Sequence, residues 1–246
     1  MFKLIRLVTL LALGSSSALS FATGFQDCPS FFPNNTPPVL AAAQANGPVL
    51  RELCYDAFAL AHSSATKTPY FVVEKLTRAQ LVDAADEERT NKFFADARLP
   101  EKERATLADY AKSGFDRGHM APAGDMPNAQ AMAQSFSLAN MVPQAPTNNR
   151  KTWKKLESDT RNYVRRAAGP VYVYSGPLYD KRVTPVILGN GLKVPTHLFK
   201  LVYDPTANKS WVHILENKDT AKIGKPLSYA EFVKATRMDL LGTNSK

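Results

Sequence analysis

The sequence is poor in residues and motifs that mark several common site chemistries. Its 246 residues contain only two cysteines and four histidines, so the four closely spaced sulfur or nitrogen ligands of a structural zinc site are missing. It also lacks a Gly-x-Ser-x-Gly elbow, a His-Glu-x-x-His motif and a glycine-rich phosphate loop. These absences exclude the usual signatures of α/β-hydrolases, zinc proteases and P-loop proteins.

Long hydrophobic runs are missing beyond the N-terminus. Residues 1–22 place Lys3 and Arg6 before an apolar run at Leu7–Leu13, and small residues follow, which is the pattern of a cleaved signal peptide. The apolar run is far shorter than the ~20 residues that a membrane-spanning helix needs. The sequence therefore predicts an exported protein, periplasmic or secreted, with no membrane contact after cleavage. The alternative is an uncleaved membrane anchor.

Acidic residues are fewer than basic ones, at 22 against 31, which gives a net charge of +9. Such a surplus indicates an anionic partner, with nucleic acid or a membrane surface as the first candidates. The hydrophobic fraction of 44%, without internal repeats or an interdomain linker, favours one globular domain. We predict a single domain over residues 23–246, in which residues 23–53 form an irregular arm rich in proline, asparagine and alanine.

Strand and helix patterns are interspersed along this domain, which predicts a mixed α+β fold. Two short apolar runs, Tyr55–His62 and Tyr70–Glu74, predict a hairpin. A long helical pattern runs from Thr147 to about Ala167. Further strand patterns lie at Phe136–Val142, Val171–Ser175, His197–Tyr203 and Ser210–Leu215.

The two cysteines, Cys28 and Cys54, lie near the start of the predicted domain. In an exported chain an even number of cysteines usually pairs, so a disulfide is predicted, and two free thiols are the alternative. A bond between them would fix the proline- and asparagine-rich segment Pro29–Pro38 to the first core strand.

The segment Asp116-Arg117-Gly118-His119 places three chemically useful side chains within four residues. Histidine is suited to accept a proton near neutral pH, and arginine presents a planar fork to phosphate oxygens. A nearby carboxylate can orient the imidazole or the backbone. Taken alone, this tetrapeptide also fits a structural turn on a basic surface.

A second segment makes the pattern more specific. It contains Asn140, followed by Asn149, Trp153, Glu157 and Arg161 at helical spacing. On an α-helix at ~100° per residue, Asn149 and Glu157 lie about 80° apart, so an amide oxygen and a carboxylate share one side. Oxygen ligands and water suit a hard cation such as Mg²⁺. Asn140 is the rival ligand, which we expect instead to be a structural hydrogen-bonding residue.

These motifs resemble the sugar-nonspecific DNA/RNA endonuclease family, which includes endonuclease G. The similarity covers roughly Leu53 to Asn217. The blocks that carry it are Asp116-Arg117-Gly118-His119, Asn140-Met141-Val142-Pro143-Gln144, the Asn149…Trp153…Glu157…Arg161 spacing, Ser175-Gly176-Pro177-Leu178-Tyr179 and Val194-Pro195-Thr196-His197-Leu198-Phe199-Lys200. The resemblance implies a central antiparallel β-sheet flanked by helices, with a ββα-metal active-site motif.

The resemblance also implies roles for individual residues around one bound ion. His119 corresponds to the general base that activates water, and Asn149 to the direct ligand of one Mg²⁺, for which Mn²⁺ substitutes. Glu157 corresponds to a residue that holds the ion through water. Asp116 is expected to orient neighbouring groups rather than to bind the metal.

Arginines complete the implied site. Arg117 and Arg161 resemble the family's phosphate-contacting arginines. A further arginine is expected from the region upstream, where Arg89 is our candidate and Arg98 and Arg104 are the alternatives.

The implied function is exported, metal-dependent hydrolysis of phosphodiester bonds in DNA and RNA with little sequence specificity, leaving 5′-phosphate ends. Contacts to backbone phosphates position a nucleic acid but do not read its bases. A nucleic-acid-binding protein that kept the fold and lost catalysis is the alternative function. A homodimer and an inhibitor or immunity protein are further partners that the sequence leaves open.

Overall fold

The computed structural model describes residues 24–40 and 49–242, and all structural statements concern these residues. The predicted signal peptide, residues 1–22, lies outside them. The strands are β1 (Leu50–Cys54), β2 (Ala59–Ser63), β3 (Thr68–Leu76), β4 (Asp116–His119), β5 (Met141–Gln144), β6 (Val171–Leu178), β7 (Ile187–Leu188), β8 (Leu192–Lys193), β9 (His197–Asp204) and β10 (Lys209–Glu216). Six of them form a central antiparallel sheet, in the order β1-β2-β3-β6-β9-β10. The helices are α1 (Arg78–Asp83), α2 (Leu107–Tyr110), α3 (Ala129–Ser135), α4 (Lys154–Val164) and α5 (Tyr229–Thr236). The predicted α+β class with a central antiparallel sheet is confirmed.

Period-two alternation gives the sheet two different buried faces. In β6, Val173 and Ser175 point to one face, and Tyr172 and Tyr174 point to the other, because successive side chains of a strand alternate. We call the face of Val173 and Ser175 the site face and the opposite one the rear face. Both are covered, so β6 is buried along almost its whole length.

The rear face packs against α5 and the N-terminal segment. Phe232 of α5 lies 5.1 Å from Phe199 of β9, and Phe25 lies 5.8 Å from Phe71 of β3, measured between ring centroids. The predicted disulfide between Cys28 and Cys54 is present and joins the N-terminal segment to the last residue of β1.

The site face packs against α4, which carries a regular apolar stripe. Trp153, Leu156, Thr160 and Val164 are buried at spacings of three and four residues, as expected for one face of a helix. The prediction of an α-helix from Thr147 is corrected, because Asn148–Trp153 forms a π-helical turn before α4 begins. The pair β4–β5, followed by this turn and α4, forms a ββα unit beside the sheet.

Two other sequence predictions also need correction. The arm predicted over residues 23–53 is shorter, since β1 already begins at Leu50, and it contains short 3₁₀ turns between Phe25 and Asn35. The strand predicted at Phe136–Val142 begins only at Met141, because a 3₁₀ turn precedes it. Within residues 24–40 and 49–242, none of the helices has the length and apolar character needed to cross a membrane.

Candidate active site

A cleft of about 460 Å³ opens beside the ββα unit. All the predicted catalytic and metal-binding residues except Asp116 line it. The lining residues are Arg89, Arg117, His119, Pro122, Ala123, Gly124, Asn149, Arg150, Lys154, Glu157 and Arg161. The fold therefore brings together residues from the loop before α2, from β4 and from the π-turn and α4.

His119 is the last residue of β4, and its side chain is almost fully buried. Its ring lies edge-on to Phe136, with 4.9 Å between centroids, and its carbonyl oxygen accepts a hydrogen bond from Trp153 Nε1 at 3.3 Å. The preceding residue, Gly118, has no room for a Cβ because the side chain of Gln144 packs against it. Backbone and ring contacts thus fix the imidazole at the edge of the cleft.

The imidazole of His119 is held in its neutral form. Burial, with a further contribution from the positive charge of Arg89, lowers the pKa of His119 from 6.5 to about 3. Its Nε2 has no hydrogen-bond partner among the described residues. A neutral ring with an unused nitrogen lone pair has a place for a proton, and the negative charge of a phosphate bound beside it would raise this low pKa.

Asn149 is oriented by a carboxylate behind the cleft. Its Nδ2 donates a hydrogen bond to Asp116 Oδ2 at 2.9 Å, which leaves the amide oxygen for a ligand. Asp116 is also paired with Arg150, whose Nε and Nη2 donate to its two oxygens at 2.8 and 2.6 Å. Burial alone would raise the pKa of Asp116, but the hydrogen bonds from Arg150 and Asn149 lower it below its usual value. Asp116 is therefore placed as an ionised orienting group.

Glu157 and Arg161 lie on the same side of α4 at the floor of the cleft. Burial raises the pKa of Glu157 from 4.5 to about 7, although the positive charges of Lys200 and Arg161 oppose this rise. Arg161 Nη1 donates to Asp125 Oδ1 at 2.8 Å, which fixes its guanidinium. The two residues thus present a carboxylate and a fixed guanidinium to one space.

Of the three candidate upstream arginines, the structure places only Arg89 among the lining residues of the cleft. Its guanidinium lies over the ring of Phe136 at 4.9 Å. Arg98 instead forms an ion pair with Asp96 at 2.7 Å, and neither it nor Arg104 lines the cleft. Arg117 lies 4.1 Å from the centroid of the Phe93 ring, on the same side of the cleft as His119.

The neighbouring asparagines have structural contacts. Asn140 is fully buried and bonds both the amide and the carbonyl of Ala121 at 2.9 Å, as well as the carbonyl of Ser135. These bonds occupy both ends of its amide, so it is not positioned as the rival ligand. Asn148 accepts a bond from Gln144 and donates to the carbonyl of Glu216.

Three buried charged residues beneath the cleft were missed by the sequence analysis. Glu74 and Lys200 project from the site face of the sheet, and Asp125 holds Arg161. The signal was present in the sequence, since Glu74 and Lys200 lie within strand segments that are otherwise largely apolar. A charged residue at an inward position is seldom left without a role.

The residues present suit a hard cation held mainly through water. Within the described ranges, no group of three or more His, Cys, Asp or Glu side chains is arranged to hold a metal ion. An amide oxygen from Asn149 and the nearby carboxylate of Glu157 match the oxygen preference of Mg²⁺, which keeps several of its waters.

Known relatives of the chain are nucleases. It is 41% identical over 154 residues to "Nuclease EXOG, mitochondrial" of Xenopus laevis, covering 58% of this chain and 42% of that protein. It is 35% identical over 170 residues to "Nuclease C1" of Cunninghamella echinulata var. echinulata, covering 64% of this chain and 67% of that protein. The chain spans about half the length of the EXOG nucleases and the yeast mitochondrial nuclease that it matches.

The relatives contradict the predicted location. EXOG of Xenopus laevis and the "Mitochondrial nuclease" of Saccharomyces cerevisiae, 39% identical over 167 residues, are mitochondrial proteins, which points away from an exported or periplasmic location. The prediction rested on residues 1–22 alone. A basic, apolar and small-residue composition at an N-terminus is weaker information than similarity over the folded part of the chain.

Structure and family agree with each other. The fold is similar to that in "Crystal structure of the EndoG/EndoGI complex: Mechanism of EndoG inhibition", with a TM-score of 0.69, 25% identity and coverage of 84% of this chain and 92% of that chain. The profile of the DNA/RNA non-specific endonuclease family matches residues 37–238. The chain belongs to this family, which is one of metal-dependent nucleases.

Proposed function

We propose that this protein is an endonuclease that hydrolyses phosphodiester bonds of both DNA and RNA with Mg²⁺, or with Mn²⁺ in its place. The observation that carries the proposal is the content of the cleft. A neutral histidine, an amide oxygen oriented by Asp116 and four arginines line one cavity. A general base, a cation site and phosphate-binding groups are what in-line attack at phosphorus requires.

His119 is the general base of the proposed reaction. It takes a proton from the attacking water, and such proton transfer contributes about 10²–10⁴-fold to the rate. The bond from Trp153 to its backbone carbonyl and the edge contact with Phe136 hold the ring in place while the proton moves. A fixed base needs no reorientation when substrate arrives.

Asn149 would hold the metal ion directly through its amide oxygen, and Glu157 would hold it through water. When bound, the ion would neutralise charge on the phosphate and stabilise the departing 3′ oxygen. Asp116 contributes by holding the Asn149 amide nitrogen, so that the oxygen is directed to the ion. A bound cation also favours the ionised form of Glu157.

Arg89, Arg117 and Arg161 bind the phosphate oxygens. They approach from three different elements, and each is fixed by a neighbour in the protein, as described above for their contacts with Phe136, Phe93 and Asp125. These contacts are to the backbone of the nucleic acid, so little sequence specificity follows and binding weakens with salt. The products carry 5′-phosphate and 3′-hydroxyl ends.

The test is digestion of a circular plasmid and a structured RNA by the purified chain, with Mg²⁺, with Mn²⁺ and with a chelator. His119→Ala is assayed beside His213→Ala, because His213 lies in β10 away from the lining residues. We expect cleavage of both substrates with either ion, none with the chelator, and a loss confined to His119→Ala.

Two results would change the proposal. Cleavage that survives His119→Ala would remove the assigned base while leaving the nuclease class intact. Failure to cut under every condition, with salt-sensitive binding retained, would favour the nucleic-acid-binding protein that lost catalysis.

A further inference from the structure

A row of polar side chains crosses the site face of the sheet directly beneath α4. Ser175 in β6 pairs in register with Lys200 in β9, and Glu74 lies in the neighbouring strand β3. All three are almost completely buried. Apolar side chains flank this row on the same face, with Val72 and Leu198 toward one end and Leu76, Val173 and Val202 toward the other.

Lys200 makes two close contacts from this row. Its Nζ donates to Ser175 Oγ at 2.6 Å, and the same atom lies 4.9 Å from the centroid of the Trp153 ring. A desolvated ammonium over an indole face is attracted by the negative charge of the ring face. Lys200 therefore fixes the plane of Trp153 from below.

Trp153 in turn contacts His119 at the edge of the cleft. Its Nε1 donates to the backbone carbonyl of His119 at 3.3 Å. One side chain thus connects the buried ammonium with the residue proposed as the general base. Lys200 itself does not line the cleft.

Lys200 also balances the carboxylates around it. Its charge acts on Glu74, Asp125 and Glu157, and in each case it opposes the burial that raises the pKa of the carboxyl group. One oxygen of Glu74, Oε1, is buried without a hydrogen-bond partner in the described part of the chain. Burying the ammonium of Lys200 with so few direct partners costs stability, which indicates that the residue has a role other than stabilising the fold.

We propose that Lys200 is a positioning residue of the cleavage site, which holds His119 through its contact with Trp153. The inference rests on the proposed function. It assigns to Lys200 no contact with substrate, so its loss affects the chemical step rather than substrate binding.

The kinetic test compares Lys200→Met with Lys209→Met. Methionine keeps the length of the side chain and removes the charge, and Lys209 is an exposed lysine at the start of β10. With a short fluorescent oligonucleotide, we expect kcat of Lys200→Met to fall about 10²-fold, as for a small misplacement of reacting groups, while KM stays within about twofold. Lys209→Met keeps both constants. A wild-type kcat in folded Lys200→Met would overturn the proposal.

The double variant Lys200→Met/Glu74→Gln distinguishes two roles of Lys200, balancing charge and positioning the site. It removes the ammonium of Lys200 together with the neighbouring carboxyl group of Glu74 from the same buried row, so we expect its thermal midpoint to recover toward that of the wild type. If Lys200 positions the site, kcat stays low in the double variant. Recovery of kcat together with stability would reduce Lys200 to a counter-ion and overturn the proposal.

A spectroscopic measurement tests the contact without any activity. The chain has two tryptophans, so Trp211→Phe leaves Trp153 as the single emitter. In that background, Lys200→Met should change the emission maximum, and Lys209→Met should not. If the spectrum changes but the protein cuts no nucleic acid, the contact between Lys200 and Trp153 is supported and the proposed function is rejected. An unchanged spectrum would reject the contact.

Trp153→Phe keeps the inference testable if the lysine variants do not fold. It removes the indole N–H and retains an aromatic ring above Lys200. We expect kcat to fall with KM unchanged, because the carbonyl of His119 loses its donor. A wild-type kcat in this variant would contradict the proposed path from Lys200 to His119.

Discussion

The two faces of the central sheet bury different kinds of side chain. The rear face packs aromatic and aliphatic groups such as Phe71 and Phe199 against α5 and the disulfide-bonded N-terminal segment. The site face interrupts similar packing with Glu74 and Lys200, which lie beneath Glu157 of α4. Apolar burial stabilises a fold by about 25 cal/mol per Å², whereas buried charges cost desolvation energy. The comparison indicates that the rear face is buried through apolar packing, while the site face combines apolar packing with the unfavourable burial of ionisable groups beneath the proposed reactive residues.

The largest effect on activity without a matching effect on stability is expected at Asn149. Asn149→Ala removes the amide oxygen proposed as the metal ligand, and the metal supplies several kcal/mol of transition-state stabilisation. We therefore expect kcat to fall about 10³-fold at saturating Mg²⁺, with a nearly unchanged free energy of unfolding. Cleavage kinetics and urea unfolding measure the two quantities.

Asn162→Ala is the matched control for this prediction. Asn162 lies on α4, accepts a bond from Arg165 and does not line the cleft. Its replacement should leave kcat unchanged. Equal losses in both variants would mean that any change in α4 damages the site, and the distinction between the faces would lose its support.

On the rear face we expect the opposite result, a loss of stability without a loss of activity. Phe71 is fully buried, and its ring lies 5.8 Å from the rings of both Phe25 and Tyr174. Phe71→Ala leaves a cavity, so the free energy of unfolding should fall by about 3–5 kcal/mol in urea titration. At a temperature where the variant is folded, kcat should be that of the wild type. A lower kcat in the folded variant would show that the rear face also sets the geometry of the site.

The disulfide provides a smaller test of the same face. It connects residues 26 positions apart, and its removal in Cys28→Ser/Cys54→Ser should lower the free energy of unfolding by about 3 kcal/mol, because the unfolded chain becomes less constrained. Thermal unfolding of the variant and of the wild type, each with and without reductant, measures this loss. Reductant should destabilise only the wild type, and kcat should remain unchanged in both.

Local patterns were enough to predict much of the fold. Strands β6 and β9 were placed within a few residues, because each is a short, nearly continuous run rich in β-branched and aromatic residues. The π-turn at Asn148–Trp153 was not predicted, since a helical pattern does not distinguish it from an α-helical turn. The predicted roles of the site residues rest on family resemblance and stay predictions.

Contacts between distant parts of the chain could not be predicted in the same way. The bond between Asn149 and Asp116 and the row formed by Glu74 and Lys200 depend on how separate strands pair. Which of Arg89 and Arg98 lines the cleft likewise depends on the path of a loop without regular structure, which the sequence does not predict. Sequence motifs therefore predicted most of the groups that line the cleft, while the long-range pairing of strands decides which groups contact them.

The smallest predicted effect concerns Asp96, a buried charged residue of the irregular segment before α2, which contributes to stability. Asp96 is buried, pairs with Arg98 at 2.7 Å and accepts hydrogen bonds from the hydroxyls of Tyr55 and Ser137 at 2.6 and 3.1 Å. These contacts fix the irregular segment that carries Arg89 and Phe93. Unlike Glu74, Asp96 therefore has direct partners for its charge.

Burial alone would raise the pKa of Asp96, but its bonds with Arg98 and Tyr55 lower it from 3.8 to about 2. The folded pKa is below the unfolded one, so this contribution is present above about pH 4 and is lost as the pH falls toward 2. We expect about 2 kcal/mol less free energy of unfolding from this group across that range. Urea titrations of wild type and Asp96→Asn between pH 5 and 2 measure it as the difference between the two slopes. Parallel pH dependences would show that Asp96, like Glu74, is buried for a reason other than stability.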